Sequence, residues 1–383
     1  MKRTICLLVT LAACSIILHA QRIKIYSVFQ LIESGKYDEA KTIIEEVIGN
    51  KKTLNWPRIW YAKGLLCQTA YQEGIKKNDK KKYELYPDQL YLAYESYEKA
   101  LSLDKSGRYE TQLTPFYVLL ANDFQEMGQK HFAGKKYSDA LRAFEHALSV
   151  MGKPFLPVKT DTNLVYNAGL AAYESQKWQK AIEYLSPLHE DGYSANSSHL
   201  LYSANLETGD TVSAEKVLKK AISNFKDNED MVLLLTDLLF CQGHVERAIS
   251  LLNDASSGDS TRYIYPYTKG LIYQKTEKYK EAIAAYEKAL ELASNNHEIL
   301  TNIGICYNNI GVEIDENART ITNNRTFLEE KAKSTAAFES AVKWLEKAYA
   351  KDQDNQLVIR KLHELYKMLN LTDKAKNIEG KVR

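Results

Sequence analysis

Along most of the chain, alanines and large apolar residues recur at steps of four and three, with charged residues between them. Ala140, Phe144 and Ala147 follow this pattern, as do Ala282, Tyr286 and Ala289. Such steps put the side chains on one face of a helix, so each series predicts an amphipathic helix. A turn residue and an aromatic or apolar residue lead into it, as in Gly35-Lys36-Tyr37-Asp38-Glu39-Ala40, Tyr137-Ser138-Asp139-Ala140, Trp178-Gln179-Lys180-Ala181 and Tyr279-Lys280-Glu281-Ala282. This punctuation ends a preceding helix with its own apolar stripe. Trp60 with Gly64, Phe124 with Met127 and Gly128, Val165 with Ala168 and Gly169, and Leu300 with Ile303, Gly304 and Tyr307 mark that first helix. The small residues should let the two axes approach, with the large ones filling the gaps on either side.

The anchoring alanines of the central run fall at 181, 214, 248 and 282, at intervals of 33, 34 and 34. Two amphipathic helices cannot bury both stripes alone, so the units must stack. A phrase with Gly270 and Tyr273 on the first helix and Ala282, Tyr286 and Ala289 on the second resembles the tetratricopeptide repeat family. Further anchors at Ala93, Ala341 and Ala375 extend the resemblance over nearly all of residues 21–383. It implies an all-α fold: a right-handed superhelical solenoid of about nine antiparallel helix pairs. The family is a binding scaffold, so the resemblance implies a protein partner and no catalysis.

Four intervals are longer than the period: 53 from Ala40 to Ala93, 47 from Ala93 to Ala140, 41 from Ala140 to Ala181 and 59 from Ala282 to Ala341. The first and last predict insertions or extended helices in the second and eighth units, near residues 74–88 and 312–336. The other two predict longer linkers near Ser106-Gly107 and from Pro154 to Pro157. Pro115 and Pro266 suit first-turn positions, whereas Pro187 should kink or end its helix. Insertions in repeat arrays fall on one face, so the long joints are expected to mark where a partner sits.

Composition refines this picture. The 17 glycines and 7 prolines are few for 383 residues, in keeping with long helices. The formal charge of +2 comes from Lys2 and Arg3, leaving a neutral body with no electrostatic footprint for nucleic acid. Those two residues, the apolar stretch Ile5 to Leu18 and His19-Ala20-Gln21 read as a signal peptide over residues 1–20, cut after Ala20. Export to the periplasm or the outer membrane is therefore expected. Leu11-Ala12-Ala13-Cys14 also resembles a bacterial lipobox, which implies as an alternative that lipidated Cys14 anchors a subunit of an outer-membrane assembly or secretion complex. Cys67, Cys241 and Cys306 are widely spaced and read as small apolar residues inside helices.

Chemistry is sparse. No phosphate-cradling glycine loop, nucleophile elbow or paired metal-ligand histidines occur in the sequence. Ser213 and Lys216 have a Ser-x-x-Lys spacing on a repeat anchor without companion motifs, and Asp352 to Asn355 reads as a linker. No cofactor or metal is expected. Lys76, Lys77, Lys80, Lys81 and Lys82 form a candidate basic surface for anionic headgroups or an acidic partner, and so for envelope association. The resemblance places Tyr61, Tyr166 and Tyr267 in the concave groove, with Asn167, Asn302 and Glu174 as polar neighbours. Tyrosine suits recognition of a peptide or a helix, since it offers apolar area and one hydrogen-bonding group at low entropy cost. The family's carboxylate clamp is not reproduced, because Tyr61, Leu65, Tyr166 and Leu170 occupy its places.

Overall fold

A computed structural model describes residues 23–157 and 161–382, so the expected address, including Cys14 and the cut after Ala20, lies outside the described residues. Among the described residues every regular element is helical, and none is long and apolar enough to cross a membrane. The chain divides into two compact units, one ending at Ala214 and the other beginning at Glu215.

In the first unit, α1 (23–33) precedes α2 (Tyr37–Ile48), and α3 (Pro57–Lys77) packs on α5 (Gln89–Leu103) with the short α4 (Lys80–Tyr83) between them. Next come the pairs α6 (Arg108–Ala133) with α7 (Tyr137–Met151) and α8 (Thr162–Glu174) with α9 (Trp178–Glu190), then α10 (Ala195–Glu207). The division falls within α11 (Thr211–Asn224). The second unit pairs α12 (Glu229–Cys241) with α13 (Val245–Gly258) and α14 (Ile264–Lys275) with α15 (Tyr279–Leu292). It continues with α16 (His297–Ala318) on α17 (Asn324–Lys351), then α18 (Gln356–Met368) on α19 (Thr372–Glu379).

The pairs share one packing rule, and it corrects the expectation that the large residues merely flank the close approach. In five pairs the large residue four after the anchoring alanine lies directly on a glycine of the first helix. A Cβ placed on Gly270 would come within 2.5 Å of the Tyr286 ring, and one on Gly64 within 2.5 Å of the Tyr97 ring. Gly128 meets Phe144, Gly169 meets Leu185 and Gly304 meets Leu345 in the same way. The glycine is thus a socket, and the ring fills it; Tyr97 and Tyr286 are completely buried. Each such side chain contributes about 2–3 kcal/mol of apolar burial.

A second rule sets the turn. The residue two before the second helix of a pair has a left-handed backbone, whether it is Gly35, Gly209 and Gly243 or Lys135, Gln176, Glu277 and Asn370. That conformation reverses the chain in three residues and suits glycine best. The remaining pairs extend the plan by different means. The α16/α17 hairpin is long because its helices themselves are long, and a second socket, Gly311 beneath Phe338, locks its outer half. Asn323 caps α17 at the polar turn.

Three expectations need correction. Pro115 lies inside α6 rather than in a first turn, because the helix starts earlier, at Arg108. Asp104 accepts hydrogen bonds from the Ser106 and Tyr109 amides and so fixes that start, leaving the proline on an exposed side. The extra chain of this joint is therefore largely helix. Pro187 does not end α9 at once, since the helix runs to Glu190 with its exposed proline in the last turn. Cys67 and Cys306 are buried, but Cys241 is exposed at the end of α12. Burial pushes the thiols of Cys67 and Cys306 up to about 12, which makes both poor nucleophiles.

Candidate partner-binding site

The first-helix tyrosines are half-buried, and each is held by the neighbouring first helix of its own unit. On α3, Tyr61 sits among Phe29, Tyr109 and Phe116, with ring centroids 5.6, 5.7 and 6.0 Å away. Burial, and then the neighbouring Tyr109, raise its phenol above the ordinary value. Arg58 stacks 3.8 Å from the Tyr26 ring centre, so the cluster ends in an exposed aromatic and cationic rim. On α8, the Tyr166 hydroxyl accepts a hydrogen bond from Asn196 of α10 at 2.5 Å, and its ring lies 5.6 Å from Tyr193. On α14, the Tyr267 hydroxyl accepts a hydrogen bond from Asn302 of α16 at 3.3 Å, and burial raises its phenol.

Sequence reasoning set Asn302 among the polar positions near the three tyrosines, and the structure joins it to Tyr267. Tyr61 and Tyr166 belong to separate clusters of the first unit, Asn167 is half-buried beside Tyr166, and Glu174 is exposed at the end of α8. The sequence reading missed Asn196, Tyr193, Tyr109 and Phe116. Asn196 could have been found, because it lies 30 residues after Tyr166 as Asn302 lies 35 after Tyr267, close to one repeat.

Between α3 and α6 lies a polar knot that no motif announced. Asp123 accepts hydrogen bonds from Gln68 at 3.1 Å and Gln72 at 2.7 Å, while the Tyr97 hydroxyl donates to Gln68 at 2.8 Å. Burial raises the Asp123 carboxyl to about 6 against the opposing effect of the two amide donors, with Glu126 adding to the rise.

The five lysines do not form one free basic surface. Lys77 and Lys82 both pair with Glu73, at 2.6 and 2.7 Å, and Lys80 faces Glu84 at 3.6 Å. Lys76 and Lys81 are exposed. Hydrogen bonds from Lys77, Lys82 and Tyr37 hold the Glu73 carboxyl down at about 2. The segment is packed rather than loose: the Gln89 side-chain amide donates to the carbonyls of Cys67 and Lys82, at 2.9 and 3.0 Å, and its oxygen accepts from the Tyr86 amide. The Tyr86 hydroxyl donates to Glu45 at 2.9 Å, tying the insertion to α2. Among the described residues no three His, Cys, Asp or Glu side chains converge to hold a metal.

Helix pairs locked glycine to ring, with tyrosines bridged from one first helix to the next, define a helical-repeat scaffold. Residues 270–311 match the family model for the TPR repeat, and residues 207–289 match the model for anaphase-promoting complex, cyclosome, subunit 3. The chain carries tetratricopeptide repeats, and repeats of this type mediate protein–protein interaction. Among solved structures it is similar to a TPR repeats protein from Bacteroides fragilis NCTC 9343, at 18% identity over 65% of this chain and 98% of that one, with a TM-score of 0.36. It is also similar to MamA from Desulfovibrio magneticus RS-1, at 16% identity over 49% and 90% of the two chains, with a TM-score of 0.34. A monomeric IFIT1 mutant with Gppp-AAAA is 16% identical over 84% and 69%, with a TM-score of 0.39. No curated protein matches the sequence.

Proposed function

We propose that this chain is a non-catalytic adaptor of a bacterial cell envelope, exported by its N-terminal segment, which holds a peptide or helix of a partner protein against its first helices. The observation that carries this reading is the bridging of half-buried tyrosines, Tyr166 to Asn196 and Tyr267 to Asn302. A tyrosine fixed in this way presents its ring edge with little entropy left to lose on binding. Export rests on the charged and apolar pattern of residues 1–20.

Replacing Tyr61, Tyr166 and Tyr267 together by Ala is expected to weaken partner capture from native envelopes by at least about tenfold while leaving the helical circular dichroism unchanged. Full capture by the triple variant overturns the groove reading. Leu11-Ala12-Ala13-Cys14 favours a second reading, a lipid-anchored subunit of an outer-membrane assembly or secretion complex. The lysines near residue 80 offer a membrane less than five free charges, because Glu73 and Glu84 offset two of them.

A further inference from the structure

At four anchors the second helix carries a carboxylate five residues after the alanine: Glu45 after Ala40, Glu98 after Ala93, Glu145 after Ala140 and Glu346 after Ala341. Each of the four meets both a tyrosine hydroxyl and a lysine from later in the chain. Glu45 meets Tyr86 at 2.9 Å and Lys63 at 3.2 Å, and Glu98 meets Tyr117 at 2.5 Å and Lys153 at 2.7 Å. Glu346 meets Tyr366 at 2.8 Å and Lys374 at 2.6 Å, while Glu145 meets Tyr184 at 3.3 Å and pairs with Lys180. A carboxylate held by a lysine and a tyrosine is thus a recurring joint of this fold.

After Ala248 the same position is Asn253. The lysine is still there. Lys269, one residue before the socket Gly270 as Lys63 is one before Gly64, donates to the Asn253 side-chain oxygen at 2.8 Å. Where Tyr86 lies against Glu45 and Lys63 in the first unit, the second unit has a cleft of about 260 Å³ among α13, α14 and α15. Leu252, Tyr265, Pro266 and Tyr273 line it, with Ala284 and Ala285. Lys269 is half-buried, and Asn253 takes one of its three donors without neutralising its charge. Burial, and then the neighbouring Lys288, hold its amine below the ordinary value, and among the described residues it makes no ion pair. The lining sets two lysines, Lys269 and Lys288, against one acid, the exposed Glu281. Even with Glu281 set against Lys288, the buried ammonium keeps an unanswered charge.

We propose that this cleft is a carboxylate-binding site, which takes one acid group on a short apolar stem. The carboxylate meets Lys269, in the place that a glutamate of the chain itself fills after four other anchors, and the stem lies against Leu252 and Tyr273. One net positive charge in the lining matches a monoanion. The glutamate side chain of a partner protein and a free short-chain acid offer this same chemistry. The volume lies near the lower end for ligand pockets and suits a group of a few heavy atoms. The site is separate from the tyrosine bridges, because Lys269 follows Tyr267 by two residues and so points about 200° round α14 from it.

The test follows the methyl NMR signals of Ala284 and Ala285 in the full chain, with butyrate and a capped pentapeptide of alanines around one glutamate as probes. Both probes are expected to shift the two signals saturably, whereas butyramide and the matching glutamine peptide leave them in place at the same concentrations. Lys269→Met should weaken the response at least about tenfold. Asn253→Glu keeps the lysine and should abolish the response, since an internal carboxylate then takes the ammonium as Glu45 takes Lys63. Tighter binding of the peptide assigns the site to a partner's glutamate, and equal or tighter binding of butyrate assigns it to a free acid. Tyr61→Ala with Tyr166→Ala should leave the response unchanged, so that failure of the groove and failure of this cleft are distinguishable. Equal shifts from the amide probes, a response that survives Asn253→Glu, or inorganic phosphate binding more tightly than butyrate would overturn the proposal.

Discussion

Asp123 shows what a single residue's surroundings can do to its chemistry. Its carboxyl is raised to about 6 by burial, although Gln68 and Gln72 donate to it. A carboxyl with a raised native pKa favours the folded state below its unfolded value of 3.8 and loses that contribution as pH rises through about 6. Both amides donate to Oδ2, so Asp123→Asn can keep that acceptor as its carbonyl oxygen and removes the charge. The variant should be more stable than the parent by about 1 kcal/mol at pH 7.5, after discounting for partial solvent access, and no more stable at pH 4. Urea unfolding at the two pH values measures this, and a less stable variant at pH 7.5 contradicts it. The two amide donors come from α3, 55 and 51 residues away, so nothing near Asp123 in sequence announces its state.

The element scale is governed by the glycine socket. Gly270→Ala places a methyl group 2.5 Å from two atoms of the Tyr286 ring, inside a fully buried contact. Overpacking of this kind costs about 1–3 kcal/mol, which exceeds the roughly 1 kcal/mol that alanine gains over glycine in a helix. A lowered melting temperature is expected, and Gly270→Ala combined with Tyr286→Ala should lose less than the sum of the two single variants, because the added methyl group then has room. Gly258→Ala is the control, since a Cβ there meets nothing within 4 Å. If both single variants melt alike, the socket does not limit the packing. Periodicity made the helices legible because the Ala, large, small spacing is local. It did not reveal that α6 begins at Arg108, because an Asp104 cap and an exposed Pro115 are compatible with either start.

For the whole molecule, the expectation to test is export. The pattern of residues 1–20 supports export, and the lipobox-like stretch makes one cysteine decisive. Cys14→Ser in the full-length chain should leave the distribution between soluble and membrane fractions unchanged if the segment is simply removed. A shift from membrane to soluble fraction on fractionation would favour the lipid-anchored subunit instead. The candidate site was only partly legible at this scale. Asn302 was legible as a polar first-helix position, because repeat position sets which first-helix residues can meet, but its bond to Tyr267 was not. The ion pairs within the five-lysine segment were not legible, because Lys77 and Lys82 come to share Glu73 only once α4 folds back over the end of α3.

The sequence by itself determined the helices and their pairing, because each pair is encoded within one repeat, by steps of four and three and a three-residue turn. Only the tertiary structure decided which tyrosines remain half-exposed, which charges are already met and where a cleft opens. Those properties depend on side chains tens of residues apart, as Arg142 on Asp88 and Gln72 on Asp123 show. A charge or a ring acquires a function only after its neighbours have taken, or left, its bonding capacity.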